Sequence, residues 1–121
     1  MNDKQHTGQM GEQIAADYLT KNGFKILHTN WRMNNKELDI VAEKGNRLHV
    51  VEVRSLNSAF FQQPFQSIDK VKQRHLILAA NSYVQRYKHL KEVQIDVISI
   101  VFVGMEHALE YIPNAIYPTF R

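Results

Sequence analysis

The succession of hydrophobic patterns along the chain predicts an α/β sandwich, with helices flanking a mixed β-sheet of four to five strands. Two observations carry this. A helical pattern, three strand-like runs, a second helical pattern and one or two further strands follow in that order, as in a layered α/β domain. The run Val93 to Val103 is apolar on both faces, with Val97, Val101 and Val103 on one side and Ile98, Ile100 and Phe102 on the other. A central strand covered by helices above and below has that pattern.

Each element has a local reason. Gly8 to Asn22 reads as a helix: Met10, Ile14, Tyr18 and Leu19 fall on one side, Thr7 or Gly8 can open it, and Gly23 stands where a C-terminal cap belongs. Phe24 to Arg32 reads as a first strand. Glu37 to Glu43 and Arg47 to Arg54 form a hairpin around Lys44-Gly45-Asn46. Ser55 to Pro64 looks irregular and is expected to be a loop whose Phe60 and Phe61 are open to a partner or to unpaired bases. Ser67 or Asp69 can cap a long helix running to about Tyr87. Ala108 to Ile112 is expected as a last short strand, ended by Pro113.

A chain of 121 residues fits one domain, residues 1–121, without repeats or linkers. No apolar run approaches the ~20 residues of a membrane span. Met1 to Gln9 lacks the apolar stretch of a signal peptide, and the chain has no cysteine. The expected location is therefore the cytoplasm, with disulfides and thiolate metal sites excluded. The net charge of +3 is unevenly spread. Between Gln66 and Lys91 six basic residues face one acid, a balance of +5, against −2 elsewhere. A basic segment beside acidic strands suits a site that holds both a phosphate backbone and a metal; a solvated lysine-rich helix face is the simpler reading of charge alone.

The chemistry concentrates in the hairpin. Strand side chains alternate, so Glu37 and Asp39 share a face, as do Glu52 and Arg54. Unpaired carboxylates beside an apolar core are costly, and a divalent cation would relieve that cost. Asp39 and Glu52 come to one face only if paired residue numbers add to an odd total. A two-residue turn at Lys44-Gly45 sets Glu37 opposite Glu52, and a four-residue turn from Lys44 to Arg47 sets Asp39 opposite Glu52. A three-residue turn splits the acids across the sheet. Asp39, Glu52 and a strand carbonyl such as that of Val53 form an oxygen-rich ligand set suited to Mg²⁺ or Mn²⁺. The competing reading pairs these acids with Arg32, Lys36, Arg54 or Lys72. The six histidines show no HxH or HExxH spacing, which argues against zinc. Asp96, amid apolar residues, reads as a structural acid. Trp31, Tyr83 and Tyr87 read as packing residues.

Several motifs together resemble the YraN-like family of small bacterial proteins, related to PD-(D/E)XK nucleases and Holliday-junction resolvases. They are Gly11-Glu12 with Tyr18-Leu19, then Asn30 and Arg32, then Glu37-Leu38-Asp39-Ile40-Val41-Ala42 and Val51-Glu52-Val53-Arg54. Ser67-Ile68 with Lys72, Ile95-Asp96-Val97-Ile98 and Ile112-Pro113-Asn114-Ala115 complete the match, which covers nearly the whole length. The resemblance implies a restriction-endonuclease-like three-layer sandwich and metal-dependent cleavage of DNA, including branched or repair and recombination intermediates. It implies metal binding at Asp39 and Glu52, a further carboxylate from Glu12, and Lys72 near the phosphate. Lys70, Arg74 and Arg32 are expected as further nucleic-acid contacts. The chain departs from the family at Asn35-Lys36, where glycines are usual. Arg54 stands where the wider superfamily often has lysine. Arginine stays protonated, so it can stabilise developing negative charge but is a poor base. The base would then be Glu37, a substrate phosphate or metal-bound water. Two other functions remain open: a nucleic-acid-binding module without chemistry, and an interaction scaffold using the Ser55 to Phe65 segment. A homodimer would suit symmetric cutting of two strands, but no interface signal is readable.

Overall fold

The computed structural model describes residues 3–57 and 68–116, with side chains in the first helix from residue 8 onward. Its elements are α1 (Asp3–Lys21), β1 (Lys25–Met33), β2 (Lys36–Lys44), β3 (Arg47–Asn57), α2 (Lys70–Tyr87), β4 (Glu92–Val103) and β5 (Glu106–Ile116). The five strands form one sheet in sequence order. β3 and β4 run parallel, with α2 between them in sequence, and every other neighbouring pair is antiparallel. The sheet is therefore mixed and the architecture is α/β.

Alternation along the strands builds two separate cores, one per face. On one face Leu76, Ile77, Ala80 and Tyr83 of α2 pack with Val41, Leu48, Val50, Ile95 and Val97. On the other, Ala15 and Leu19 of α1 pack with Phe24, Ile40, Ala42, Val51, Ile98 and Ile100. The result is the three-layer sandwich that the resemblance implies. Trp31 and Tyr83 are buried in the α2-side core as packing residues, and the indole N–H of Trp31 donates to the Tyr87 hydroxyl at 3.3 Å. No helix among the described residues is long and apolar enough to cross a membrane.

The ends of elements differ from expectation in three places. α1 begins at Asp3, earlier than Gly8, and ends as expected: Gly23 has φ +89° and Phe24 N–H donates to Leu19 C=O at 3.0 Å, closing a left-handed cap. β3 runs on to Asn57, so Ser55 to Asn57 are strand rather than loop; their pairing with β4, through Asn57 opposite Phe102, imposes it. The rest of that expected loop, with Phe60, Phe61, Phe65 and the alternative cap Ser67, lies outside the described residues. Asp69 caps α2, its Oδ1 accepting from Lys72 N–H at 2.8 Å.

The last strand is not ended by Pro113. β5 extends from Glu106 to Ile116 by bulging opposite Asp96: Val97 pairs with Ile112, and Ile95 next pairs with Ile116. Asn114 takes φ +53° in the bulge and its N–H donates to Asp96 Oδ1 at 2.8 Å. Proline is tolerated here because β5 is an edge strand and the bulge already interrupts the ladder.

Candidate active site

The register of the β2–β3 hairpin decides whether the two acids meet. Glu43 pairs with Leu48 and Lys44 with Arg47, leaving a two-residue turn at Gly45-Asn46 with Gly45 at φ +59°. This is the register that sets Asp39 opposite Glu52, reached through a tighter turn than the four-residue one. The ladder runs only as far as Ile40 opposite Val51. Beyond it β2 loses strict alternation: Leu38 faces the α2-side core and Ile40 the α1-side core, although they are two residues apart. Asp39 sits at that break. Its Oδ2 accepts the N–H of Val53 at 2.9 Å, so a side chain stands in for a main-chain acceptor. β3 meanwhile stays paired to β4 along its length. The strands thus fork, and Asp39, Glu52 and Val53 line the fork. In an extended strand the N–H and C=O of one residue face the same neighbour, which directs the Val53 carbonyl toward β2 as well.

The two carboxyls lie within hydrogen-bonding reach of each other. Burial pushes both upward from ordinary carboxylate values. For Asp39 it outweighs the Val53 N–H bond, the Glu52 contact and the Lys72 charge. For Glu52, burial and the charge of Asp39 raise the pKa to about 7, against the pull of Lys72. The Lys72 ammonium is 3.5 Å from Glu52 Oε2, but its side chain is 47% exposed, so water weakens that pairing and burial prevails.

Asp96 is the internal control. It is fully buried, yet it accepts from Tyr111 Oη (2.7 Å), Gln94 Nε2 (2.9 Å) and Asn114 N, with His49 Nδ1 at 2.7 Å. Burial alone would raise its pKa; those bonds overcome it and hold the group below the usual range. One acid buried on β4 is saturated with donors, as a structural acid must be. The Asp39–Glu52 pair is not.

The other candidates distribute unevenly. Glu12, half-buried on α1, meets the Asn30 side chain, and burial followed by the charge of Asp39 raises its pKa. It therefore approaches the fork from the α1 side. Glu37 is exposed and pairs with Arg32 across the β1–β2 ladder at 3.6 Å, a contact between two exposed side chains that water weakens. Arg54 is half-buried, lines one groove with Glu52, Val53 and Lys72, and makes no ion pair among the described residues. Lys70 and Arg74 are exposed on α2, and Lys70 stands roughly 200° around the helix from Lys72. Of the three helix cations, only Lys72 reaches the acids. Two residues quoted in the family motif, Asn30 and Gly11, had no role assigned from the sequence. Asn30 takes φ +51° and holds Glu12; Gly11 brings α1 against Ser55 of β3. An asparagine inside a strand and a glycine inside a helix were the available signals.

The donor set suits a hard divalent cation that keeps most of its water. Two carboxylates and a strand carbonyl fit Mg²⁺ or Mn²⁺. Among the described residues no group of three or more His, Asp or Glu side chains gathers tightly enough to hold an ion by itself.

Comparison with known proteins matches residues 11–100 to the model of UPF0102, described as an uncharacterised protein family. A UPF0102 protein of Bacteroides thetaiotaomicron is 34% identical over 118 residues, spanning 98% of each chain. Another, of Flavobacterium johnsoniae, is 37% identical over 121 residues, covering 97% of this chain and 98% of its own. A third, of Dehalococcoides mccartyi, is 35% identical over 116 residues, or 94% and 95%. The matched stretch includes the fork, Glu12 and Lys72, and the chain belongs to the UPF0102 (YraN-like) family.

Proposed function

We propose that this protein is a hard-cation-dependent phosphodiesterase acting on DNA, branched or repair and recombination intermediates included. One observation carries the reading: a buried and a half-buried carboxyl held against each other at a fork in the sheet, met among the described residues by one N–H and one half-exposed lysine. Asp39, Glu52 and the Val53 carbonyl would hold Mg²⁺ or Mn²⁺, which supplies charge to polarise a phosphodiester oxygen. Glu12 approaches the same acids from α1 and would act through water. Arg54 stabilises the negative charge that develops on the phosphoryl oxygens, and Lys72 holds the phosphate. In the reaction a water oxygen bonds to phosphorus and one bridging sugar oxygen departs. The water's proton passes to Glu37 or a substrate phosphate oxygen, and the leaving oxygen takes a proton from solvent.

The test is calorimetry with Mn²⁺ together with cleavage of branched, nicked and linear DNA. Asp39→Asn and Glu52→Gln preserve shape and should each weaken Mn²⁺ binding at least about tenfold and abolish cutting. Unchanged Mn²⁺ affinity in both variants refutes the site. A binding module without chemistry is the second reading, favoured by Arg54 in place of a lysine. It predicts DNA binding with no cleavage in either Mg²⁺ or Mn²⁺.

A further inference from the structure

Lys72 forms a ridge between two recesses. On one side is the groove with Glu52, Val53 and Arg54. On the other is a cleft between α2 and the β1–β2 turn, about 310 Å³ in volume and lined by Lys36, Glu37, Lys72, His75, Leu76 and Leu78. We propose that this cleft seats one unpaired nucleotide next to the reacting phosphate, so that the substrate carries a single-stranded segment at the cut. The inference rests on the hydrolytic reading of the fork and specifies its substrate class.

Size comes first. A cleft of this volume is at the lower end of small-ligand sites, enough for a nucleotide and far too small for stacked base pairs. A base can enter it only when unpaired. Charge comes second. Lys36 and His75 make no ion pair among the described residues, and the acid in the cleft, Glu37, is already met by Arg32 at 3.6 Å. At the N-terminus of α2 the Asp69 carboxylate already accepts Lys72 N–H, which places a negative charge there. Phosphate recognition here falls to side chains.

Shape and rigidity come third. Met33 pairs with Lys36 around a two-residue turn, Asn34-Asn35, with Asn34 at φ +57°, which fixes Lys36 at the first position of β2. The far wall carries Leu78, a leucine 43% exposed to solvent. A sugar or base edge would cover it. Lys72 borders both recesses, so a strand passing from the fork into the cleft meets a cation at the ridge.

The experiment is fluorescence anisotropy in Ca²⁺ with a blunt DNA duplex and with the same duplex bearing a single-stranded extension. The wild type should bind the extended DNA about tenfold more tightly, a difference of the size a seated base gives. Lys36→Gln and His75→Gln should each remove most of that preference while the melting temperature and Mn²⁺ affinity stay unchanged. Equal affinity for the two DNAs, or a preference that survives in both variants, overturns the cleft. Normal Mn²⁺ binding with no preference removes the cleft alone. A preference that depends on Lys36 and His75, without Mn²⁺ binding at Asp39 and Glu52, leaves the cleft standing and removes the hydrolytic reading.

Discussion

Glu52 carries a measurable signature of its surroundings. Its carboxyl stands at about 7 in the fold against 4.5 for the unperturbed group, because burial and Asp39 disfavour its charge. A group raised on folding contributes stability in full below its unfolded value and loses it as pH rises through its folded value. Glu52→Gln cannot ionise. The melting temperature of this variant should therefore rise relative to wild type between about pH 4.5 and 7 and level off above, by roughly 5–10 °C. A difference that stays flat across that range would mean Glu52 is ordinarily ionised. Much of this neighbourhood was legible in the sequence: an odd pairing sum is enough to put Asp39 and Glu52 together. Two features were not. The capture of Val53 N–H by Asp39 depends on β2 leaving the ladder, which no local pattern records. The choice of Lys72 over Lys70 and Arg74 depends on where α2 is rotated against the sheet.

The placement of α1 determines whether Glu12 takes part. Gly11 is buried against β3, and a β-carbon there would collide with Ser55 Oγ and stand 3.1 Å from Ser55 Cβ. Turning the serine side chain relieves only the first contact. Gly11→Ala should push the start of α1 off the sheet, lower the melting temperature by several degrees, at about 1–3 kcal/mol for an overpacked contact, and reduce any activity that needs Glu12. Removing the opposing side chain, in Gly11→Ala with Ser55→Gly, should restore much of the activity; no restoration would mean Gly11 matters for another reason. The elements themselves were read well wherever periodicity is local, as in α2, β2 and β4. They were misjudged where a distant strand imposes the conformation. Ser55 to Asn57 are strand because β4 pairs with them, and Pro113 sits within β5 because Asp96, 18 residues from Asn114, holds its bulge.

Charge across the molecule bears on how nucleic acid would be held. The 66–91 segment carries +5, yet its cations point several ways, and Lys91 is spent on Glu43 at 3.1 Å. Among the described lysines and arginines, Lys36, Arg54 and Lys72 flank the proposed path. Binding of single-stranded DNA should then weaken with salt at a log–log slope near −2, at roughly −0.7 per neutralised phosphate. A slope of about −5 or steeper would show that Lys70, Arg74 and the far end of α2 engage as well. The fork in the sheet has a further implication for reading relatives. Because the Asp39 carboxylate also completes a rung between two strands, a homologue that had abandoned catalysis would still be penalised for discarding it. Position 52 completes no such rung: among the described residues its carboxylate meets Asp39 and Lys72. An acid retained at 39 is thus weak testimony for the proposed chemistry, whereas under that proposal its loss at 52 would mark a member without it.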